Sequence, residues 1–222
     1  MKHVLIEKQA LGYGLAAFVT LTILEMFLYF GVFQSIPQFA QRYGWWLFYS
    51  NISIAALGAA AWHLYTYKTH VPCMAGMMIG MTVGMQTGMM IGAIIGGTNG
   101  FFTGSMVAVI AGVAAGVIAG RCCGVMGIME GMMAGLMGGT MGPMISVMML
   151  NDHLLWFMPL FTIVNVVILI GLMHMYLKEV VAPQEVSRRS LDGFTFVSMC
   201  VIATAILVAI MLYGPKSALF GG

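Results

Sequence analysis

Sulfur recurs along the middle of this chain with the spacing of a helix. Of its 24 methionines, 17 lie between Met74 and Met149. Met77, Met81, Met85 and Met89 follow one another at four-residue steps, each directly after a glycine. Met129, Met133, Met137 and Met141 do the same, each two residues after one, and Met144 and Met148 continue that row. At about 1.5 Å rise per residue, this spacing sets a thioether roughly every 6 Å along a helix. Thioether and thiolate ligands select Cu(I) over harder cations. A thioether is uncharged and needs no deprotonation, so a row of them can cross hydrocarbon without the cost attached to carboxylates or ammonium groups. Two such rows could line one path for a soft cation. The competing reading is packing, because methionine is flexible and fills irregular gaps. Register and excess favour ligands, since leucine or isoleucine would serve packing alone.

Thiols, imidazoles and two carboxylates extend the set. Cys73 opens the third expected helix, Cys122 and Cys123 open the fifth, and Cys200 lies about two turns into the seventh. Adjacent cysteines strain a bridge between themselves, and four cysteines here make no disulfide framework, so free thiols are expected. The gap between Cys73 and Cys122 is no zinc signature. Position at one end of the bundle is what argues for a receiving site, and small apolar cysteines packing at helix contacts are the alternative. His3, His63, His70 and His174 fall toward the same end, whereas His153, beside Asp152, Met148 and Met149, falls at the other. A soft ion would meet His153 and the methionines first and the thiols last. Glu25 and Glu130 fall inside expected spans, where a carboxylate is costly and usually faces a partner or water. Glu25 and Gln86 lie at equal depth, about 21 Å from the start of their helices, so they could meet. Glu130, between Met129 and Gly131, could neutralise a passing cation or relay a proton. A protonated carboxyl bonded to a hydroxyl or a backbone carbonyl is the other reading of both.

The elements that must position these groups are apolar helices. The chain has 222 residues, 61% hydrophobic and only 7% charged, with mean hydropathy +0.98. An ordinary soluble domain is about a quarter charged, so an integral membrane protein is expected. About 20 apolar residues cross a bilayer as helix. That ruler predicts an all-α polytopic bundle of about seven spans, near 11–33, 45–66, 72–97, 100–119, 122–150, 154–177 and 194–213, forming a single transmembrane domain. Glycine falls at every fourth residue from Gly76 to Gly104 and again from Gly112 to Gly124, which puts a small-residue face on the central helices and lets their backbones approach closely. Thr98 and Asn99, Arg121, and Asn151 to His153 supply turns. The third and fifth spans read as parallel copies of one pattern, Gly76-Met-Met-Ile-Gly80-Met and Gly127-Ile-Met-Glu-Gly131-Met.

Orientation follows from Lys and Arg. With the N-terminus inside, that side holds Lys2, Lys8, Lys68, Arg121, Lys178, Arg188 and Arg189, and the other keeps Arg42 and Lys216. Trp45 with Trp46, and Trp156 with Phe157, then read as outer interfacial anchors. Residues 178–193 read as a cytoplasmic loop, solvated or docked on the surface. No cleaved signal peptide is expected, because no short apolar stretch with a small-residue cleavage site precedes the first span.

At motif level the centre of the chain resembles the eukaryotic high-affinity copper transporters. Met81-x3-Met85 and Gly76-x3-Gly80 match that family's Met-x3-Met pair and its Gly-x3-Gly helix contact. The resemblance covers only the central third, and it implies Cu(I) as cargo.

Several function classes are excluded or left without a motif. A net charge of +2, scattered among helix ends, argues against nucleic acid as a partner. There is no phosphate-cradling glycine loop with its lysine, no evident Ser-His-Asp set, and no haem motif behind His63. The expectation is therefore a non-enzymatic conduit or carrier for Cu(I) in the cell membrane, N-terminus inside and C-terminus outside. Lipid surrounds it, and a homo-oligomer or a larger membrane complex is open. The methionine rows would form the path, Cys73, Cys122 and Cys123 would receive the ion, and Glu130 would tune charge. Two alternatives stand beside it: a non-catalytic membrane scaffold or subunit of a respiratory or metalloenzyme complex, and a thiol-dependent metal-site assembly factor.

Overall fold

A computed structural model describes residues 2–31, 39–68, 71–150, 152–181, 187–188 and 193–216. His70, Asn151, residues 182–186 and 189–192 of the 178–193 loop, and Phe220 to Gly222 lie outside the described residues. The chain is all-α. Its helices are α1 (Lys2–Gly31), α2 (Phe39–Tyr65), α3 (Cys73–Asn99), α4 (Phe101–Gly120), α5 (Gly124–Met148), α6 (Leu154–Tyr176) and α7 (Gly193–Tyr213). The 3-10 turn Arg121–Cys123 joins α4 to α5 without a break, so the described residues make six uninterrupted helical runs.

The expected count of seven spans is not supported. Four segments are long and apolar enough to cross a membrane: Cys73–Asn99, Phe101–Met148, Leu154–Val181 and Gly193–Tyr213. The second of these doubles back at Arg121–Cys123. The shortfall lies in α1 and α2. Polar groups interrupt α2 at Ser50, Asn51, Ser53 and His63, and the fully described stretch of α1, Gly14–Phe27, is apolar but too short to count as a span by itself.

Turns sit where backbone freedom is available. Gly100 between α3 and α4 has φ 103°, and Gly124 opening α5 has φ 68°, both in the region that favours glycine. The 178–193 loop is partly docked: Leu177–Val181 extends α6 as a π-type turn with Val180 and Val181 buried. Ser187–Arg188 pairs antiparallel with Tyr67–Lys68.

α3 is the axis of the bundle. One side meets α4 and α5 through glycine, in layers that step four residues forward along α3 and α5 and four back along α4. Gly80 meets Gly120 and Gly127, Gly84 meets Gly116 and Gly131, and Gly88 and Gly112 meet Gly135. α3 and α5 thus run in the same direction, as the parallel copies predicted, with α4 antiparallel between them. A Cβ on Gly84 would lie 2.8 Å from the Gly131 carbonyl oxygen and 3.0 Å from the Gly116 Cα, so these contacts admit glycine alone. Pro143 closes the stack against Gly92, Gly96 and Gly104, and the Ser146 hydroxyl donates to the Ala93 carbonyl at 2.6 Å.

The other side of α3 packs by side-chain volume. Ala93 and Ile94 join Tyr43, Trp46, Tyr49, Met158, Phe161 and Met211, while Ile95 joins Leu21, Ile54, Phe196, Cys200 and Leu207. Trp46 is therefore not an interfacial anchor: its ring is buried against Gly97. Trp45 and Trp156 do face outward.

Candidate sulfur site and the glycine core

Helical geometry decides where each methionine points. On α5 they stand two residues after a glycine, or for Met148 after the buried Ser146, which is about 200° around the helix, directly away from the face that packs on α3 and α4. Met129, Met133, Met137, Met141, Met144 and Met148 are accordingly all on the outer surface, between 44% and 70% exposed. On α3 they stand one residue after a glycine, about 100° around, and flank the packed face. Met81 is exposed, and Met77, Met85 and Met89 are half-buried. Gly138 and Gly142 of α5 sit against the backbone of Met85 and Met89, which places these two at the α3–α5 seam. Met89 also packs on the cluster around Trp46 and Met158. The expectation that two methionine rows line one interior path is thus corrected. Glycine occupies the inner face, the backbones meet there, and the thioethers are left outside or beside the seam.

The cysteines do come together. Cys73 at the start of α3 and Cys123 in the α4–α5 turn are disulfide-bonded, with Cα atoms 4.8 Å apart across 50 residues of sequence. The expectation of free thiols is corrected for these two. Close approach of the α3 N-terminus and the turn, dictated by the glycine layers beneath, brings them into reach. Cys122 remains free, and its sulfur would lie 2.8 Å from a Cβ placed on Gly76, one turn beyond Cys73. Cys122 is exposed as a residue, yet partial burial of its sulfur, in the turn between the two spans, pushes the thiol above the ordinary cysteine range. Cys200 is buried against Gly58 and Phe196 and belongs to packing.

The remaining candidates are dispersed. His153 caps α6 with φ 47° and is exposed, at the far end from the cysteines. Glu130 is half-buried on the flank of α5, one turn from Met126 and Met133, and has no hydrogen bond or ion pair among the described residues. Glu25 does not meet Gln86. The Asn51 amide donates to its Oε2 at 2.7 Å, and Gln86 is buried in α3. His63 is buried among the rings of Tyr67 and Tyr176. Among the described residues no three His, Cys, Asp or Glu side chains are grouped as a metal site.

The sequence reading contained no cavity, and one lies close to the cysteines. About 350 Å³ opens beside the cysteine end, lined by Tyr65, Tyr67, Ile118, Arg121, Cys122 and Tyr176 among others. Its residues come from α2 and the segment after it, α3, α4, the α4–α5 turn and α6, so no local spacing could signal it.

No protein-family model, curated protein or solved structure matches the chain. The likeness to copper transporters therefore rests on the two short motifs alone.

Proposed function

We propose that this is a membrane protein that handles a soft monovalent cation, Cu(I), on sulfur-bearing surfaces built around a closed glycine core. The observation that carries the reading is the meeting of Cys73, Cys122 and Cys123 at one end of the same three-helix unit whose outer side bears the methionines. Reduction of the Cys73–Cys123 bond gives two thiols at the end of the unit that also carries the free Cys122, and soft ligands of this kind prefer Cu(I). The thioethers of α3 and α5 then supply weak neutral ligands along the helix axis. Because they lie outside the core, a sulfur path across the membrane forms where this surface meets another protein surface, a second copy included. The Lys and Arg distribution supports placing the cysteine end in the cytoplasm of a cell-membrane protein, with the C-terminus outside.

The scaffold alternative is favoured by a specific observation too: the backbones of α3, α4 and α5 touch over layer after layer of glycine, which suits a rigid support. One experiment separates the two. Full-length protein purified under a thiol reductant is titrated with Cu(I) against a competing chelator. Stoichiometric copper that disappears in the Cys73→Ser, Cys122→Ser, Cys123→Ser triple variant supports Cu(I) handling, and absence of stoichiometric copper from the reduced wild type leaves the scaffold.

A further inference from the structure

We propose that the cavity between the end of α2, α3, the α4–α5 turn and the end of α6 binds the phosphate headgroup of an anionic membrane lipid. Cys122 lines this cavity as well as belonging to the thiols of the copper reading, but the lipid contact does not require Cu(I) and is tested without it. Its walls are mostly apolar: Leu64, Val71, Ile79, Ile118 and Ala119 line it, with the rings of Tyr65, Tyr67 and Tyr176. At about 350 Å³ it lies at the small end of ligand pockets, room for a headgroup and the first chain carbons, not for a whole two-chain lipid.

Arg121 gives the cavity its charge. It lies at the mouth, is exposed, and among the described residues has no carboxylate partner. It is close enough to Tyr65 to act on the hydroxyl electrostatically. A guanidinium presents a planar fork of donors that matches phosphate oxygens two at a time, and tyrosine rings sit well where one end is apolar and the other wet. Tyr67, a lining residue, is held by backbone pairing of Tyr67–Lys68 with Ser187–Arg188. Glu179 is the one acidic residue in the turn after Tyr176. Basic residues at a membrane surface attract anionic lipid, and an apolar wall beside a cation adds what a free anion could not use. The larger cavity, lined by Gly14, Phe18, Phe48, Val166 and Met173, is wholly apolar and offers no headgroup contact.

The test is native mass spectrometry of full-length protein from mixed micelles holding equal phosphatidylglycerol and phosphatidylcholine. Wild type should retain phosphatidylglycerol over phosphatidylcholine by at least about tenfold, the scale of one charge-assisted hydrogen bond. Arg121→Gln should abolish the preference and Arg121→Lys restore part of it, while Lys178→Gln leaves it in place. Ile118→Trp, which fills the cavity and keeps the charge, should lower retention even if Arg121→Gln fails to fold. Equal retention of the two lipids by wild type, or undiminished preference in both Arg121→Gln and Ile118→Trp, overturns the proposal. Full displacement by millimolar inorganic phosphate also overturns it, since that marks a free-anion site.

Discussion

The two sides of α3 hold the molecule together by opposite means. Toward α4 and α5 the contact is mostly backbone on backbone, with glycine at layer after layer until the Pro143 ring and Ala108 fill the far end. Toward α2, α6 and α7 it is volume against volume, with Ile94, Ile95 and Met90 set among aromatic and aliphatic partners. Lipid tails are as apolar as leucine, so neither side gains from removal of water, and close packing is what remains. The glycine side achieves it by proximity and tolerates no added atom. The other side achieves it by shape, and can relax around a loss.

Variants should separate the two. The largest effect is expected from Gly116→Val, whose side chain would overlap the backbone of Gly131. Overpacking costs about 1–3 kcal/mol where side chains can give way. Backbone cannot, so loss of folded protein is expected, read by detergent-resistant mobility and thermal unfolding. Retention of a wild-type transition would break the comparison. Leu169→Ala on the shape-packed side should cost less, roughly 1–3 kcal/mol, the cavity part of what such a truncation costs in water. Asn51→Leu leaves Glu25 without its amide donor and should cost about 1 kcal/mol, near the middle of the range for hydrogen bonds between membrane helices.

Smaller effects sharpen the same contrast. Reducing the Cys73–Cys123 bond should shift stability by less than about 1 kcal/mol, because the glycine layers already hold α3 to the α4–α5 turn and the inserted helices stay tethered when apart. Smallest of all is Met133→Leu with Met137→Leu, expected to be neutral for stability within about 1 kcal/mol while lowering Cu(I) uptake into vesicles. Unchanged uptake removes the outer thioethers from the function. Binding of Cu(I) by the reduced protein should also tighten as pH rises from 7 to 9. The Cys122 thiol is held above its ordinary range and must lose its proton to ligate, so the proton competes with the metal at lower pH.

Much of the core was legible in the sequence, and one part of it was misread. The four-residue glycine period announced close helix contact, the repeated pattern placed in the span order announced the same direction for α3 and α5, and both hold. The orientation of the methionines was available from the same numbers. An offset of two residues from a glycine that faces inward points outward, so Met129 to Met148 could not share an interior path with α3. The Cys73–Cys123 bond was out of reach, because it depends on which ends of α3 and the turn coincide, which chain spacing does not specify. Glu25 was matched by depth to Gln86, whereas the partner is Asn51 on the adjacent helix. Depth along a helix says nothing about which face looks at which neighbour. The 350 Å³ cavity, assembled from helices α2, α3, α4 and α6 and the connections after α2 and α4, had no sequence mark at all.

The glycine layers carry a further consequence. Their rungs are nearly identical, so a slide of α3 by one turn would replace each rung with an equivalent one, and the repeat by itself does not choose an alignment. The choice falls to features that occur once: the Cys73–Cys123 bond at one end, and at the other the wedge of Pro143 against Gly92 and Gly96 and the Trp46 ring over Gly97. A ruler with evenly spaced marks is read only from its ends, and these end pins are what give the bundle its zero.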